Sequence, residues 1–513
     1  MGCKEITLKF PTDYSENQLR NKIEKELNIK EFSWQIKRKS LDARKKNRVH
    51  WQILVSVSSE HLKGVVSPVP STLNIPYKKT KEKVIVVGSG PAGFFSAFVL
   101  QKAGFDTTLI ERGSEVGKRA EGIRKFEETG EFDPINNYAF GEGGAGTFSD
   151  GKLTSRSKHI LLEREFIISS YIDAGAPESI KYMAYPHLGS DNLKKIIEVL
   201  RKQFLDIGGK LLFETFLEDI KIKDGKVCEA ITTNGVLEAD KFVVASGNSA
   251  YETYRMLIDR GIKFRTKNCA IGCRIEHPQE IINKAQWGKK RLRGVKAAEY
   301  RLTSSGNGEL PVYTFCMCPG GSIIPSAAYS DTNIVNGMSL YDRNGKFSNA
   351  ACVAGINLNS LNGREMSPVE ALDWMECLEK KFYDHTGSFK APFCTIQNFI
   401  EQKEPKGTFE TSYPLGLEPA ALWDLLPAEV SNSISAGLKD FSKKIKGFNT
   451  GIILGLESKS SAPIQVLREK DGFCAGIENL YVVGEGSGWS GGIISSAADG
   501  IKAAMHIIKK DLK

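Results

Sequence analysis

The sequence predicts an α/β fold. A parallel sheet is assembled from the middle and the end of the chain, an α+β domain is inserted between those parts, and a small α+β module precedes both. Three observations carry this. Lys83-Val84-Ile85-Val86-Val87 is a continuous apolar run after its lysine, the pattern of a strand buried on both faces of a parallel sheet. Residues 242–247 and 480–484 repeat the arrangement of apolar strand running into glycine. A stretch of mixed α/β pattern, residues 255–450, separates those two runs, so the sheet is completed only after a long insertion.

The chain has 513 residues, long enough for several cores, with 70 Lys+Arg and 61 Asp+Glu. Residues 1–83 hold 18 of the basic and 9 of the acidic side chains, so the net charge of +9 belongs to the N-terminus and the remaining body is neutral. That argues against reading the whole chain as a nucleic-acid binder and moves the question to the first module. Ten cysteines are too few for a disulfide scaffold. Forty-nine glycines exceed the usual share of about 7% and mark places where backbone approaches something closely. The start fails the myristoylation pattern at Ile6 and has no apolar signal region, and the 84–100 run is broken by glycines and Pro91. The expectation is a cytoplasmic protein with reduced thiols.

Residues 4–10 alternate as a strand. Ser15 caps a helix to about Leu27, with Leu19, Ile23 and Leu27 on one face, and strands follow near 32–39 and 49–57. This α+β module reads as ferredoxin-like. Its basic loop, Arg44-Lys45-Lys46-Asn47-Arg48, together with Arg38 and Lys39, suits either an RNA or a protein partner. Pro68, Pro70 and Pro76 mark a linker. After strand 84–87 come a helix to Ala103, a strand at 107–110, and a β-meander over 211–247 that turns at 223–226. The domain boundaries are therefore 1–63, linker 64–82, 83–254, inserted 255–450, and 451–513.

Gly88-Ser89-Gly90-Pro91-Ala92-Gly93 is a G-x-G-x-x-G fingerprint in its proper context, with buried strand before and helix after. Gly88 permits the turn, Gly90 lets backbone reach a pyrophosphate, and Gly93 lets helix and strand pack. The helix N-terminus, from Pro91 and Ala92, offers free N–H groups to phosphate. Glu111, with Arg112 beside it, ends the second strand 18 residues after Gly93, placed for adenosine ribose hydroxyls, and its charge disfavours NADP. The later turns decide between NAD and FAD. Ser246-Gly247 and Gly484-Glu485 supply the second and third glycine turns a flavin protein needs, with Glu485 toward the ribityl chain. A helix from Gly491, Gly492 and Ile493 aims its positive end at the flavin. Backbone near Leu217 is placed at the adenine.

Gly141, Gly143 and Gly146 spell a second fingerprint, but no buried strand precedes it. Gly143, Gly144, Ala145, Gly146 and Thr147 read instead as a loop around the cofactor. No dedicated NAD(P)H domain is visible, which leaves NAD(P)H as a transient electron donor. Arg119 and Lys152 are candidates for pyrophosphate or substrate charge. Cys316 and Cys318 stand at C-x-C spacing, either as a redox dithiol or as buried free thiols; ligands for zinc are lacking, so no metal is expected. His187, and His277 with Arg274, are candidates for acid–base work or anion binding. Residues 112–125 contain no cysteine, so the cysteine pair that flavin disulfide reductases carry soon after the Glu111-type strand, and the mechanism resting on that pair, are absent.

With these motifs in view, the chain resembles the bacterial FAD-dependent dehydrogenases of unassigned substrate, the NAD(FAD)-utilising dehydrogenases. The likeness rests on 41–45, the 140–152 loop, Pro186-His187, 274–278, 316–321, 336–339 and 484–500. It implies a glutathione-reductase-type FAD/NAD(P)-binding Rossmann fold with an inserted domain, non-covalent FAD and hydride transfer, with no agreed substrate. Lys459 stands where that family usually has Arg, and Trp489-Ser490 where Tyr-Ala is common. A lysine grips a carboxylate as a point charge, without the arginine fork.

Overall fold

The structure, a computed structural model, describes residues 2–63 and 72–511. Part of the expected linker, 64–71 with Pro68 and Pro70, lies outside the described residues. No helix among the described residues is long and apolar enough to cross a membrane.

The first module is strand Gly2–Phe10, helix Glu16–Leu27 and strands Ser33–Asp42 and His50–Ser59. Ser15 and Gln18 form a reciprocal capping box that starts the helix. Leu19 and Ile23 bury against Ile53, Val55 and Val57 of the last strand. That strand lies between the other two and is antiparallel to both, which makes a split β-α-β unit. The second helix and fourth strand of a ferredoxin-like fold are not among the described residues of the module. Its edge docks on the body: Lys39 N–H donates to the Tyr182 carbonyl at 2.8 Å, and Ala184 N–H to the Lys39 carbonyl at 2.9 Å. The Lys39 ammonium sits over Tyr14 and Trp51 at 4.7 and 4.6 Å, and burial lowers its pKa. Phe32 and Trp34 lie under Arg20.

The parallel sheet has the order Leu480–Val482, Lys241–Val244, Lys83–Val87, Asp106–Ile110, Lys210–Leu212. The period-2 alternation divides its side chains. Val84 and Val86 meet helices Pro91–Ala103 and Ile493–Asp511 on one face, and Ile85 and Val87 join the core on the other. Gly500 lets those helices touch, since a Cβ there would strike the Ala92 carbonyl. Residues 210–212 belong to this sheet, so the meander is shorter than expected: Leu217–Lys223, Lys226–Thr232 and Gly235–Glu238.

The antiparallel pair Phe264–Thr266 and Ile464–Val466 brackets a seven-stranded sheet. Its order is Thr303–Ser304, Val312–Cys318, Phe347–Ile356, Cys269–Pro278, Ile452–Glu457, Ala391–Thr395, Leu417–Pro419, antiparallel except for the last pair. The expected boundary at 255 therefore falls inside helix Tyr251–Asp259. The one at 450 falls just ahead of Ile452–Glu457, an interior strand of this sheet and not part of the parallel one.

Candidate active site

The first glycine turn is built around two positions where no side chain fits. Gly88 has φ +93°, and a Cβ on it would lie 2.5 Å from the Ala245 carbonyl oxygen; a Cβ on Gly93 would collide with the Gly88 carbonyl. Gly93 is thus a packing glycine, as the fingerprint requires. Helix Pro91–Ala103 starts with proline at its first turn, and its first N–H groups have no side-chain cap.

Glu111 is buried, and its two oxygens are engaged by four donors. Ser89 N–H and Oγ–H reach one at 2.8 Å each; Gly113 N–H (2.9 Å) and Gly141 N–H (3.0 Å) reach the other. Of these donors only the Ser89 hydroxyl is free to rotate away. Arg112 pairs with Glu252, lies over the Phe140 and Phe216 rings at 3.8 and 4.6 Å, and lines a cavity that Gly88 and Gly90 also border.

Arg119 does something other than bind phosphate. It is fully buried and donates to the carbonyls of Asn137 (2.8 Å), Tyr138 (2.9 Å), Gly141 (3.3 Å), Glu142 (2.9 Å) and Gly144 (2.9 Å). Burial brings its pKa down to about 10. The glycine loop is wrapped round this guanidinium, which orients it toward the cavity. Gly144, Ala145 and Gly146 line the cavity. Gly143 and Thr147 do not: a Cβ on Gly143 would strike the Thr147 hydroxyl and come within 3.1 Å of Ile197, on helix Gly189–Asp206. Their role is to seat the loop on that helix.

The C-terminal turn forms the facing wall. Gly484 N–H donates to Asp499 at 2.9 Å, and Arg468 holds Asp499 through two bonds of 2.8 Å. Burial pushes Glu485 up to about 7, against the pull of the Gly492 N–H it accepts. The positive end of helix Ile493–Asp511 is therefore partly engaged by Glu485 itself. Gly491 and Gly492 have open space where a Cβ would go. Leu217, Ser246, Gly247 and Ile493 also line the cavity, and the Asn248 amide nitrogen on its wall is buried without a partner.

The cavity, about 1170 Å³, continues to strand Val312–Cys318 of the seven-stranded sheet. The ladder to Phe347–Ile356 shifts register between Phe315 and Cys318, and Cys316 has φ +42°. Cys316 lines the cavity, while Cys318 is sealed behind it. Two cations replace the lost ladder partners. Arg274 donates to the Cys316 carbonyl at 2.8 Å, and Lys152 donates to the Met317 carbonyl. Arg274 is completely buried. It pairs with Glu457 at 2.6 Å and also donates to Asn349 (2.7 Å) and Asn336 (3.1 Å), so it supports the wall and does not reach the cavity. Lys152 pairs with the buried Asp150 at 3.0 Å, which Arg343 grips through bonds of 3.0 and 2.6 Å. Lys459 lines the cavity too, and pairs at 2.9 Å with Glu379, a fully buried carboxylate.

The two histidines stay outside. His277 is buried in the insert core, its Nε2 2.6 Å from the Phe448 carbonyl, and His187 Nε2 is 2.9 Å from the Tyr341 carbonyl. Burial lowers each to about 4, so neither is charged at neutral pH, and neither lines the cavity. Two wall residues, Glu457 and Asp150, were missed as candidates. Each is a buried carboxyl far in sequence from its arginine, so no local pattern marks it.

The family described as FAD-dependent protein, C-terminal domain-like, matches residues 268–460. An NAD(P)-binding Rossmann-like domain matches 86–142, and a domain of unknown function matches 3–58. An uncharacterized protein of Clostridium beijerinckii is 37% identical over 533 residues, covering 99% of each chain. An L-amino-acid oxidase of Siganus canaliculatus is 41% identical over 54 residues, 10% of each chain. Solved structures include L-proline dehydrogenase from P. horikoshii (TM-score 0.35, 13% identical, covering 84% of this chain and 95% of that one). The E. coli quinol fumarate reductase FrdA gives TM-score 0.37 at 12% identity, covering 85% and 71%. Scores this low say nothing of site or substrate.

Proposed function

This chain belongs with the C. beijerinckii protein to one family, that of FAD-dependent oxidoreductases, and on that premise we propose that the cavity seats FAD at one end and a substrate at the other. The observation that carries the reading is the continuity of one cavity from the glycine turn at Gly88 and Gly90 to Cys316 on the inserted sheet. The residues present fit the group. Gly88 and Gly93 exclude side chains from the turn, and the first helix is uncapped toward it.

In this reading the first N–H groups of helix Pro91–Ala103 hold the pyrophosphate. Glu111 takes a ribose hydroxyl in place of the Ser89 hydroxyl, and Arg112 closes the adenine end with Leu217. Gly484 and Glu485 hold the ribityl chain, and Gly491–Ile493 border the isoalloxazine. Bound FAD supplies hydride exchange. The chain itself orients the substrate. Lys152, which donates to the Met317 carbonyl beside Cys316, supplies an ammonium group at the substrate end, braced by buried Asp150, and this suits a substrate carrying negative charge; Lys459, paired with Glu379, lines the cavity nearer Glu252. Glu485, lifted to about 7, can hold or release a proton at its carboxyl oxygen at neutral pH. Residues 267–463 act as the inserted domain that covers this end.

The N-terminal module is a docking element of the body in this reading. Its support is the pairing of Lys39 with Tyr182 and Ala184, and the packing of the Lys39 ammonium over the buried Trp51 ring.

The test is the visible spectrum of the purified protein, followed by anaerobic addition of NADH and NADPH. Flavin bands at about 370 and about 450 nm are expected. Bleaching by one nucleotide identifies the donor. Bands that persist assign reduction to the substrate. A folded protein that neither carries nor takes up flavin overturns the reading.

A further inference from the structure

We propose that Cys316 and Cys318 form a redox dithiol that exchanges with a small disulfide in the cavity, Cys316 attacking and Cys318 resolving. The asymmetry such a pair needs is present: Cys316 lines the cavity and is partly exposed, and Cys318, two residues on, is fully buried. Residues i and i+2 of a strand point to the same face. In a regular strand they are about 6.6–6.8 Å apart, at the upper edge of disulfide reach. Here the ladder is not regular: a bulge and a left-handed turn fall at Cys316. The Cys318 sulfur lies 3.3 Å from the Cys316 carbonyl oxygen, and the two thiols interact side chain to side chain.

A non-glycine residue at φ +42° persists only where its surroundings hold it. Arg274 and Lys152 hold it by gripping the carbonyls of Cys316 and Met317. The same two cations face the sulfurs; Arg274 is 3.6 Å from the Cys318 Sγ. They favour a thiolate. The side chain of neighbouring Cys318, then the charges of Lys152 and Arg274, pull Cys316 down to about 5. Burial pushes Cys269, Cys352 and Cys474 up to about 12, so these strand thiols are inert by comparison.

The step balances as follows. The Cys316 thiolate attacks one sulfur of the disulfide R–S–S–R. That bond breaks, and one R–S⁻ leaves and takes up a proton. Cys318 then loses its proton to the medium, and its sulfur attacks Cys316 in the mixed disulfide, releasing the second R–SH. The protein is left with a Cys316–Cys318 bond and the substrate has gained two electrons and two protons. Return to the dithiol needs two electrons and two protons from the enzyme's reduced flavin, and that step alone rests on the function proposed above.

The exchange is read without any flavin signal. Cleavage after lysine and arginine releases residues 302–343, whose cysteines are Cys316 and Cys318 alone, and residues 365–380, which carry only the exposed Cys377. The protein is incubated with oxidised glutathione, quenched with an alkylating agent under denaturing conditions, digested and weighed. The expected 302–343 peptide has lost two hydrogens and carries no alkyl group. In Cys318→Ser the same peptide gains one glutathione on Cys316; in Cys316→Ser, Cys318 is recovered alkylated. A wild-type peptide that stays a dithiol while Cys377 is fully modified overturns the proposal, as does equal trapping in both variants. The wild-type result stands even if a variant fails to fold. A protein without flavin bands that still closes this disulfide separates the two readings.

Discussion

Arg274 and Glu457 pair at 2.6 Å with both side chains sealed from solvent, and the other terminal nitrogen of the same guanidinium donates to the Cys316 carbonyl at 2.8 Å. One buried cation thus joins an interior strand of the inserted sheet to the cavity wall. Removing one member of a buried pair leaves an uncompensated charge and costs about 3–5 kcal/mol. Arg274→Met is expected to destabilise by that order in denaturant unfolding. Arg274→Lys recovers little, because a lysine cannot reach Glu457, Asn349 and the Cys316 carbonyl together. A loss under about 1 kcal/mol would show that the pair is not what holds the wall.

Gly93→Ala and Gly491→Ala separate packing from ligand approach. At Gly93 an added methyl collides with rigid backbone, so the variant is expected to lose about 3 kcal/mol or more and its flavin together. At Gly491 the methyl meets open space. That variant is expected to keep its melting temperature and to bind flavin more weakly, read as the ratio of visible to ultraviolet absorbance. Unchanged flavin content in Gly491→Ala would remove that turn from the cofactor site.

The parts of this molecule that were legible in the sequence are those whose physics is local. The run 84–87, the glycines at 88 and 93 and the carboxylate at 111 follow one another along the chain, and the structure assembles them as their order implies. Arg119 misled because a cation near a glycine loop suits phosphate as well as it suits carbonyls; only burial separates the two. The pairing of Arg274 with Glu457 spans 183 positions, and the sheet register that brings them together has no signature in either segment. His277 and His187 carry suitable chemistry in the wrong place, which composition cannot reveal.

Lys459→Met is expected to cost roughly 3 kcal/mol, because Glu379 is fully buried and loses its counter-ion. Tyr251 and Ser458, which also donate to Glu379 at 3.0 and 2.6 Å, cannot neutralise it. Adding Glu379→Gln in the same chain is expected to restore most of the loss. The double-mutant cycle, measured by urea unfolding, would show no coupling if Lys459 acted only as a substrate contact.

Deleting residues 1–63 strips Met183 and Val295 of the apolar partners they have in the first module. The truncated protein is expected to melt at lower temperature and to aggregate. The full chain is expected to show no salt-dependent RNA binding, measured by fluorescence anisotropy at two ionic strengths. Tight RNA binding lost on deletion would reverse the docking assignment.

Glu485 makes the cofactor-free protein pH-sensitive in a definite direction. Its folded pKa, about 7, is above the unfolded value of about 4.3, because burial disfavours its charge. A raised carboxyl favours the folded state while protonated. The contribution is complete below about pH 4.3 and is lost as pH rises through 7. The wild type should therefore lose on the order of 2–3 kcal/mol relative to Glu485→Gln between pH 5 and about pH 8, since glutamine stays neutral throughout. Denaturation curves of both proteins across that range measure the difference directly. A difference independent of pH would mean that Glu485 is already ionised at pH 5, held there by the Gly492 N–H and the helix behind it.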